Sequence, residues 1–232
     1  MKRKIGGEYL RILSMIFIIS NHFLLFTGVL DSAKPFTLTF NLVWLLNAIG
    51  YVGTDCYVLL SGYFGVESTT TWKKIIRLWS EVIFYSITIY MVLVLTYNLS
   101  FSSGDFLKTL LPISYREYWF VTDFIGLYVL SPFINILLKN LDKRKFQKLI
   151  VIGIILFSIL DVLPGEGMYS QKGYSLYWLI VVYCVGAYIR LHGINISKPN
   201  IYVSYIGSIL IMYVVKLFGT FASLKISPAL NG

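Results

Sequence analysis

Apolar residues gather along this chain into long runs divided by short polar segments: Tyr9 to Leu30, Leu42 to Val66, Ile75 to Leu99, Tyr118 to Leu138, Leu149 to Leu163, Tyr174 to Leu191 and Ile201 to Gly219. Most approach the roughly 20 residues that one helix needs to cross the hydrocarbon of a bilayer. The pattern therefore predicts seven transmembrane helices. The run from Leu149 is short and either borrows Phe146 or tilts little. Barrel strands would alternate apolar and polar residues over segments of about ten, a pattern missing here. The expected fold is all-α: a polytopic helical bundle in the membrane, drawn as one domain over residues 1–232, since no fixed-period repeat or low-complexity tract interrupts it.

Composition agrees with this medium. Hydrophobic residues make up 57% of the chain and charged residues 13%, with a mean hydropathy of +0.73, more than a soluble core requires. The formal net charge of +9 could suggest nucleic acid, but the cations fall in alternating loops rather than on one basic stripe. They report topology instead, and no nucleic-acid partner is expected. With the N-terminus inside, thirteen cations (Lys2, Arg3, Lys4, Lys73, Lys74, Arg77, Lys139, Lys143, Arg144, Lys145, Lys148, Arg190, Lys198) are cytoplasmic against six outside (Lys34, Lys108, Arg116, Lys172, Lys216, Lys225). The first run is too long for a secretory signal and lacks a small-residue cleavage pattern. Cys56 and Cys184 lie within spans, where they read as small apolar residues with no disulfide or metal spacing.

Polar residues inside the runs carry the candidate chemistry, because ionisable groups in hydrocarbon are costly and need a specific reason to be there. Arg11 and His22 share the first run with ten residues between them, so a helix places them on nearly one face, roughly 16 Å apart along its axis. The second run holds the small-residue stretch from Gly50 to Gly53 and on to Ser61-Gly62-Tyr63, with Asp55 near mid-membrane. Small residues of this kind permit close helix approach. Lys73, Lys74 and Arg77 form a basic turn at the inner surface, suited to anionic lipid headgroups or to a phosphate-bearing ligand. Tyr118 and Trp119 open the fourth span at the outer interface, and Asp123 follows about 7 Å deeper by helical rise.

Arg11 and His22 at this spacing, the glycine-rich second span ending in Leu60-Ser61-Gly62-Tyr63, the basic turn from Lys73 to Arg77, and Tyr118-Trp119-Phe120 together resemble the acyltransferase 3 family of membrane acyltransferases. The likeness covers most of the chain. The arginine, ten-residue gap and histidine are the family's hallmark, and the order of the looser segments adds specificity. The resemblance implies transfer of an acyl group, usually acetyl from cytoplasmic acetyl-CoA, to a sugar hydroxyl of an envelope polysaccharide or its lipid-linked precursor. Two departures stand out. Ser80-Glu81 follow the basic turn where the family commonly has proline, and about ten spans are typical of the family where seven are predicted here. The chain is accordingly expected to be truncated at its C-terminus, ending outside.

Each candidate also has a plainer reading. His22 is either a general base, the role neutral imidazole suits, or a hydrogen-bonded packing residue. Arg11 either holds the donor in the catalytic site or snorkels to headgroups, with Glu81 as a structural counter-ion. Lys73, Lys74 and Arg77 are either ligands of the donor's anionic end or topology determinants. Tyr118 and Trp119 are acceptor-binding residues or an aromatic belt, and Asp55 a substrate-binding or a structural carboxylate. By depth, Asp123 is preferred over Asp55 as the acceptor that orients His22: about 12 Å for His22, about 7 Å for Asp123 and about 20 Å for Asp55 from the outer end. Neither a resident cofactor nor a metal is expected, and there is no serine nucleophile elbow. Two other classes stay open: a transporter or flippase for a lipid-linked sugar, for which only the Gly50 to Gly53 region signals a broken helix, and an inactive truncated remnant.

Overall fold

A computed structural model describes residues 5–68, 72–97, 100–115, 118–162 and 171–226. The basic segment Lys2 to Lys4, Arg116 and the expected outer end at Gly232 lie outside these residues. The described residues are mostly helical, with no strand among them. In chain order the helices are α1 (Ile5–Phe26), α2 (Val29–Ser32), α3 (Leu38–Gly50), α4 (Gly53–Gly65), α5 (Trp72–Thr96), α6 (Ser103–Leu110), α7 (Trp119–Lys139), α8 (Lys143–Ile154), α9 (Leu160–Val162), α10 (Leu176–His192) and α11 (Lys198–Ile226). A π-helical turn, Ile155–Ile159, joins α8 to α9.

Helix occupies all seven positions at which the hydropathy pattern places a span. Five segments are long and apolar enough to cross a membrane: α1, α3 with α4, α5, α7 and α11. The remaining two differ for visible reasons. α10 is apolar but only 17 residues long, and α8 opens on Lys143-Arg144-Lys145 before its apolar half begins. The chain is a multi-pass helical membrane protein.

Local sequence explains where these helices begin and end. Thr37, Ser102, Asp142 and Ser175 each accept a backbone N–H from the first turn of the helix that follows, satisfying donors that would otherwise be orphaned. Gly193, with φ +69°, ends α10 in a conformation that costs an L side chain dearly. Pro132 sits inside α7 and has no N–H to give the carbonyl one turn back. Ser131 Oγ donates to that carbonyl, Tyr128 O, at 2.8 Å, so the proline costs the span less than its position suggests.

The chain divides into two compact units, residues 1–57 with 194–232, and residues 58–193, the division falling within α4. In the first unit, α3 and the start of α4 run antiparallel to α1. A Cβ on Gly50 would lie 2.7 Å from Asn21 Oδ1, and one on Gly53 would lie 3.0 Å from both Phe17 Cβ and Ser14 O. A larger residue at either position would force its neighbours on α1 to shift. The helix is interrupted at Tyr51 and Val52, and there the Ile49 carbonyl accepts from Tyr205 Oη of α11 at 2.9 Å. Lys216 Nζ, also from α11, is seated 3.7 Å from the centroid of the Trp44 ring, a cation–π contact.

The second unit is built on a crossing of α4 and α10. A Cβ on Gly62 would fall 2.1 Å from Tyr183 O, and one on Gly186 would fall 2.0 Å from Leu59 O. The two backbones touch. A polar chain then ties in α7: Tyr183 Oη donates to Asn135 Oδ1 at 2.9 Å, and Asn135 Nδ2 donates to Gly65 O at 3.1 Å, a carbonyl at the end of α4. Below this network Val66, Leu138, Phe146, Cys184 and Ala187 form the apolar core.

Candidate functional site

The face of α1 that packs on α3 and α4 carries Ser14, Phe17, Ile18 and Asn21. Arg11 and His22 share a different face, roughly 80° round the helix from this ridge at about 100° per residue. The expected juxtaposition on one face is therefore present. His22 is exposed, and its ring meets that of Phe26, with centroids 5.7 Å apart and planes tilted by 42°. Arg11 is half-buried, and its Nη1 donates to Glu8 Oε1 at 3.3 Å, one turn earlier on α1.

Asp55 is half-buried near the start of α4. The antiparallel register sets Gly50 beside Asn21 and Gly53 beside Ser14 to Ile18. Asp55 thus lies toward the Arg11 end of α1 and away from His22. Its separation in depth from His22, expected from the sequence, follows from this packing.

The other candidates belong to the second unit. Lys73, Lys74 and Arg77 occupy the first two turns of α5 and are all exposed. Arg77 Nε donates to Glu81 Oε1 at 2.8 Å. Glu81, read from the sequence as a counter-ion for Arg11, is thereby engaged by its own i,i−4 neighbour, the geometry that favours such pairs on a helix surface. Asp123 is 9% exposed in the second turn of α7, and the adjacent Thr122 Oγ1 is a buried hydroxyl without a partner among the described residues. Tyr118 precedes α7 and its hydroxyl lies 3.5 Å from Ser86 Oγ. The Trp119 ring stands edge-on to Tyr174 with centroids 4.7 Å apart, so it is part of an aromatic cluster.

Two asparagines escape a reading of the sequence by charge. Asn21 and Asn47 meet where α1 crosses α3, Asn47 Nδ2 donating to Asn21 Oδ1 at 3.5 Å, and Asn47 is 8% exposed. The signal is present, since a carboxamide inside an apolar run needs a partner as much as a charge does. No cluster of three or more His, Cys, Asp or Glu able to hold a metal ion exists among the described residues.

The acyltransferase domain family matches the chain over residues 6–230, nearly its whole length and both compact units. No curated protein matches it, and no solved structure does. With a helical membrane architecture and the Arg11 and His22 face on α1, the match places the chain in the acyltransferase 3 domain family, as a membrane acyltransferase.

Proposed function

We propose that this protein transfers acetyl from acetyl-CoA to a hydroxyl of a cell-envelope polysaccharide or its lipid-linked precursor, with His22 as general base. The observation that carries the reading is the Arg11 and His22 face of α1, left open by the packing of α3 and α4 on the neighbouring ridge. A sugar hydroxyl is a poor nucleophile. A neutral imidazole nitrogen removes its proton as the oxygen attacks the thioester carbon. The tetrahedral intermediate then collapses, the C–S bond breaks, and the imidazolium returns the proton to the departing CoA thiolate. The products are the sugar acetyl ester and CoA.

The charge distribution supports an N-terminus in the cytoplasm. The donor then enters from the side of Arg11, Lys73, Lys74 and Arg77, whose cations suit its phosphates, while membrane lipids compete for the same surface. The acceptor enters from the opposite side, past Tyr118 and Trp119. Asp123 is assigned as the acceptor that fixes the second imidazole nitrogen, and Asp55 as a contact to substrate. Acetyl-CoA binds as a substrate, with no permanently held cofactor. The test is acetyl-CoA consumption by membranes carrying the protein, with envelope glycans supplied. Glycan-dependent release of CoA is expected; glycan movement across the bilayer without CoA release would replace this reading with a transporter.

A further inference from the structure

The geometry points to Asn21 and Asn47 as a binding subsite for a neutral hydroxyl-bearing acceptor, one residue from His22; this rests on the acyl-transfer reading above. Asn47 is nine-tenths buried in the first unit, and its one hydrogen bond is to Asn21 Oδ1 at 3.5 Å. Among the described residues, Asn21 Nδ2 and Asn47 Oδ1 therefore have no protein partner. The pair offers donors and an acceptor side by side. A hydroxyl both donates and accepts, so it complements such a pair; a thioester carbonyl or a phosphate only accepts.

Charge points the same way. No Asp, Glu, Lys or Arg occurs on α1 after Arg11 or anywhere on α3, so the two helices that carry the pair add no charge beside it. One turn before Asn47, Trp44 carries Lys216 on its ring face, and its indole Nε1 is a buried donor without a partner among the described residues. Trp44 and Asn47 share one stripe of α3, three residues apart. Trp44 Nε1, Asn47 and Asn21 thus form a polar strip leading to the residue that precedes His22. Gly50 is what allows Asn21 into this crossing, since any side chain there would displace its Oδ1.

The test uses the full chain in proteoliposomes, with acetyl-CoA as donor and methyl β-glucoside, methyl β-galactoside and methyl α-mannoside as acceptor probes. Water is the competing acceptor. Asn21→Ala and Asn47→Ala are expected to lower the partition of acetyl between glycoside and water about tenfold, the weight of one or two lost hydrogen bonds. Asn21→Gln and Asn47→Gln, which keep the amide but displace it, should lower it less. Transfer and hydrolysis that fall in proportion, leaving the partition unchanged, overturn the subsite.

A second arm needs no turnover. Saturation-transfer NMR of the same glycosides with the wild-type chain should give contact signals that both alanine variants lose, whereas signals of wild-type strength in the variants overturn the subsite. If these signals depend on the asparagines but no CoA is released, acyl transfer fails and the subsite stands. If CoA is released but the signals are indifferent to the asparagines, acyl transfer stands and the subsite fails.

Discussion

Gly62 and Gly186 are reciprocal: each leaves room for the other helix's backbone, Gly62 for Tyr183 O and Gly186 for Leu59 O. At 2.1 and 2.0 Å, an added Cβ would collide with backbone rather than with a flexible side chain. Gly62→Ala and Gly186→Ala should each destabilise the protein by about 1–3 kcal/mol, the range for overpacking, and valine by more. Gly207 on α11, around which a Cβ meets nothing within 4 Å, is the control. Its alanine variant should be neutral or slightly stabilising in a helix. Thermal unfolding in detergent of the three alanine variants checks the contrast.

Removing the Tyr183 hydroxyl leaves Asn135 Oδ1 without the donor it has at 2.9 Å. Tyr183→Phe is expected to cost about 0.6–1.7 kcal/mol, the span measured for hydrogen bonds inside membrane proteins. Asn135→Leu should cost more, because it also removes the Nδ2 bond to Gly65 O, a carbonyl that keeps only its local Ser68 donors. Equal melting temperatures for wild type and both variants would show that the chain from α10 through α7 to α4 contributes nothing.

His22→Ala should reduce acetyl transfer by about 10²–10⁴-fold, the usual contribution of a general base, with little change in melting temperature. The exposed imidazole, touching Phe26 alone among the described rings, leaves no cavity when removed. Asp123→Asn should lower the transfer rate more than acetyl-CoA binding; an equal loss of both would mark a folding or donor-binding role. Rate and binding measured on the same preparation separate these outcomes.

Arg11→Lys should raise the acetyl-CoA concentration needed for half-maximal rate, since an ammonium cannot reproduce the planar, forked bonding of a guanidinium. An unchanged concentration dependence would confine Arg11 to topology.

Asp142, in the turn between α7 and α8, accepts Lys145 N–H at 2.8 Å, and this bond holds its carboxyl below the usual range. A lowered folded value means that the stabilisation is fully present above the unfolded carboxyl's range, near pH 4, and is lost as pH falls through the folded value. Amide exchange in the first turn of α8 should therefore quicken on acidification. Asp142→Asn, which caps without ionising, should flatten this dependence, and Asp142→Ala should speed exchange at every pH.

Hydropathy reveals the long apolar helices, because burying backbone in hydrocarbon demands helix wherever an apolar run is long enough; it does not reveal the short α6, capped by Ser102 between two of the runs. It cannot reveal pairings set by distant backbone. Gly62 is visible as a small residue, but its counterpart Gly186 lies on another helix, and nothing local to either names the other. The face shared by Arg11 and His22 is legible from their spacing alone. The Arg77 and Glu81 pair is legible too, because residues four apart on a helix are neighbours, although depth in the bilayer draws attention to Arg11 instead. Asn21 and Asn47 escape notice because they are uncharged, though in lipid an amide is also conspicuous.

The hydroxyl of Tyr205 reaching Ile49 O has a consequence for the order of assembly. The first unit is split in the chain, with its opening helices made first and α11 last. During synthesis, α1 and α3 must wait while residues 58–193 are inserted, with the interruption after Ile49 still lacking its outside donor. The inserted unit is continuous in sequence and has all its own parts by Gly193. It can consolidate first, and α3, which packs on α1, acquires its contacts to Tyr205 and Lys216 only when α11 arrives.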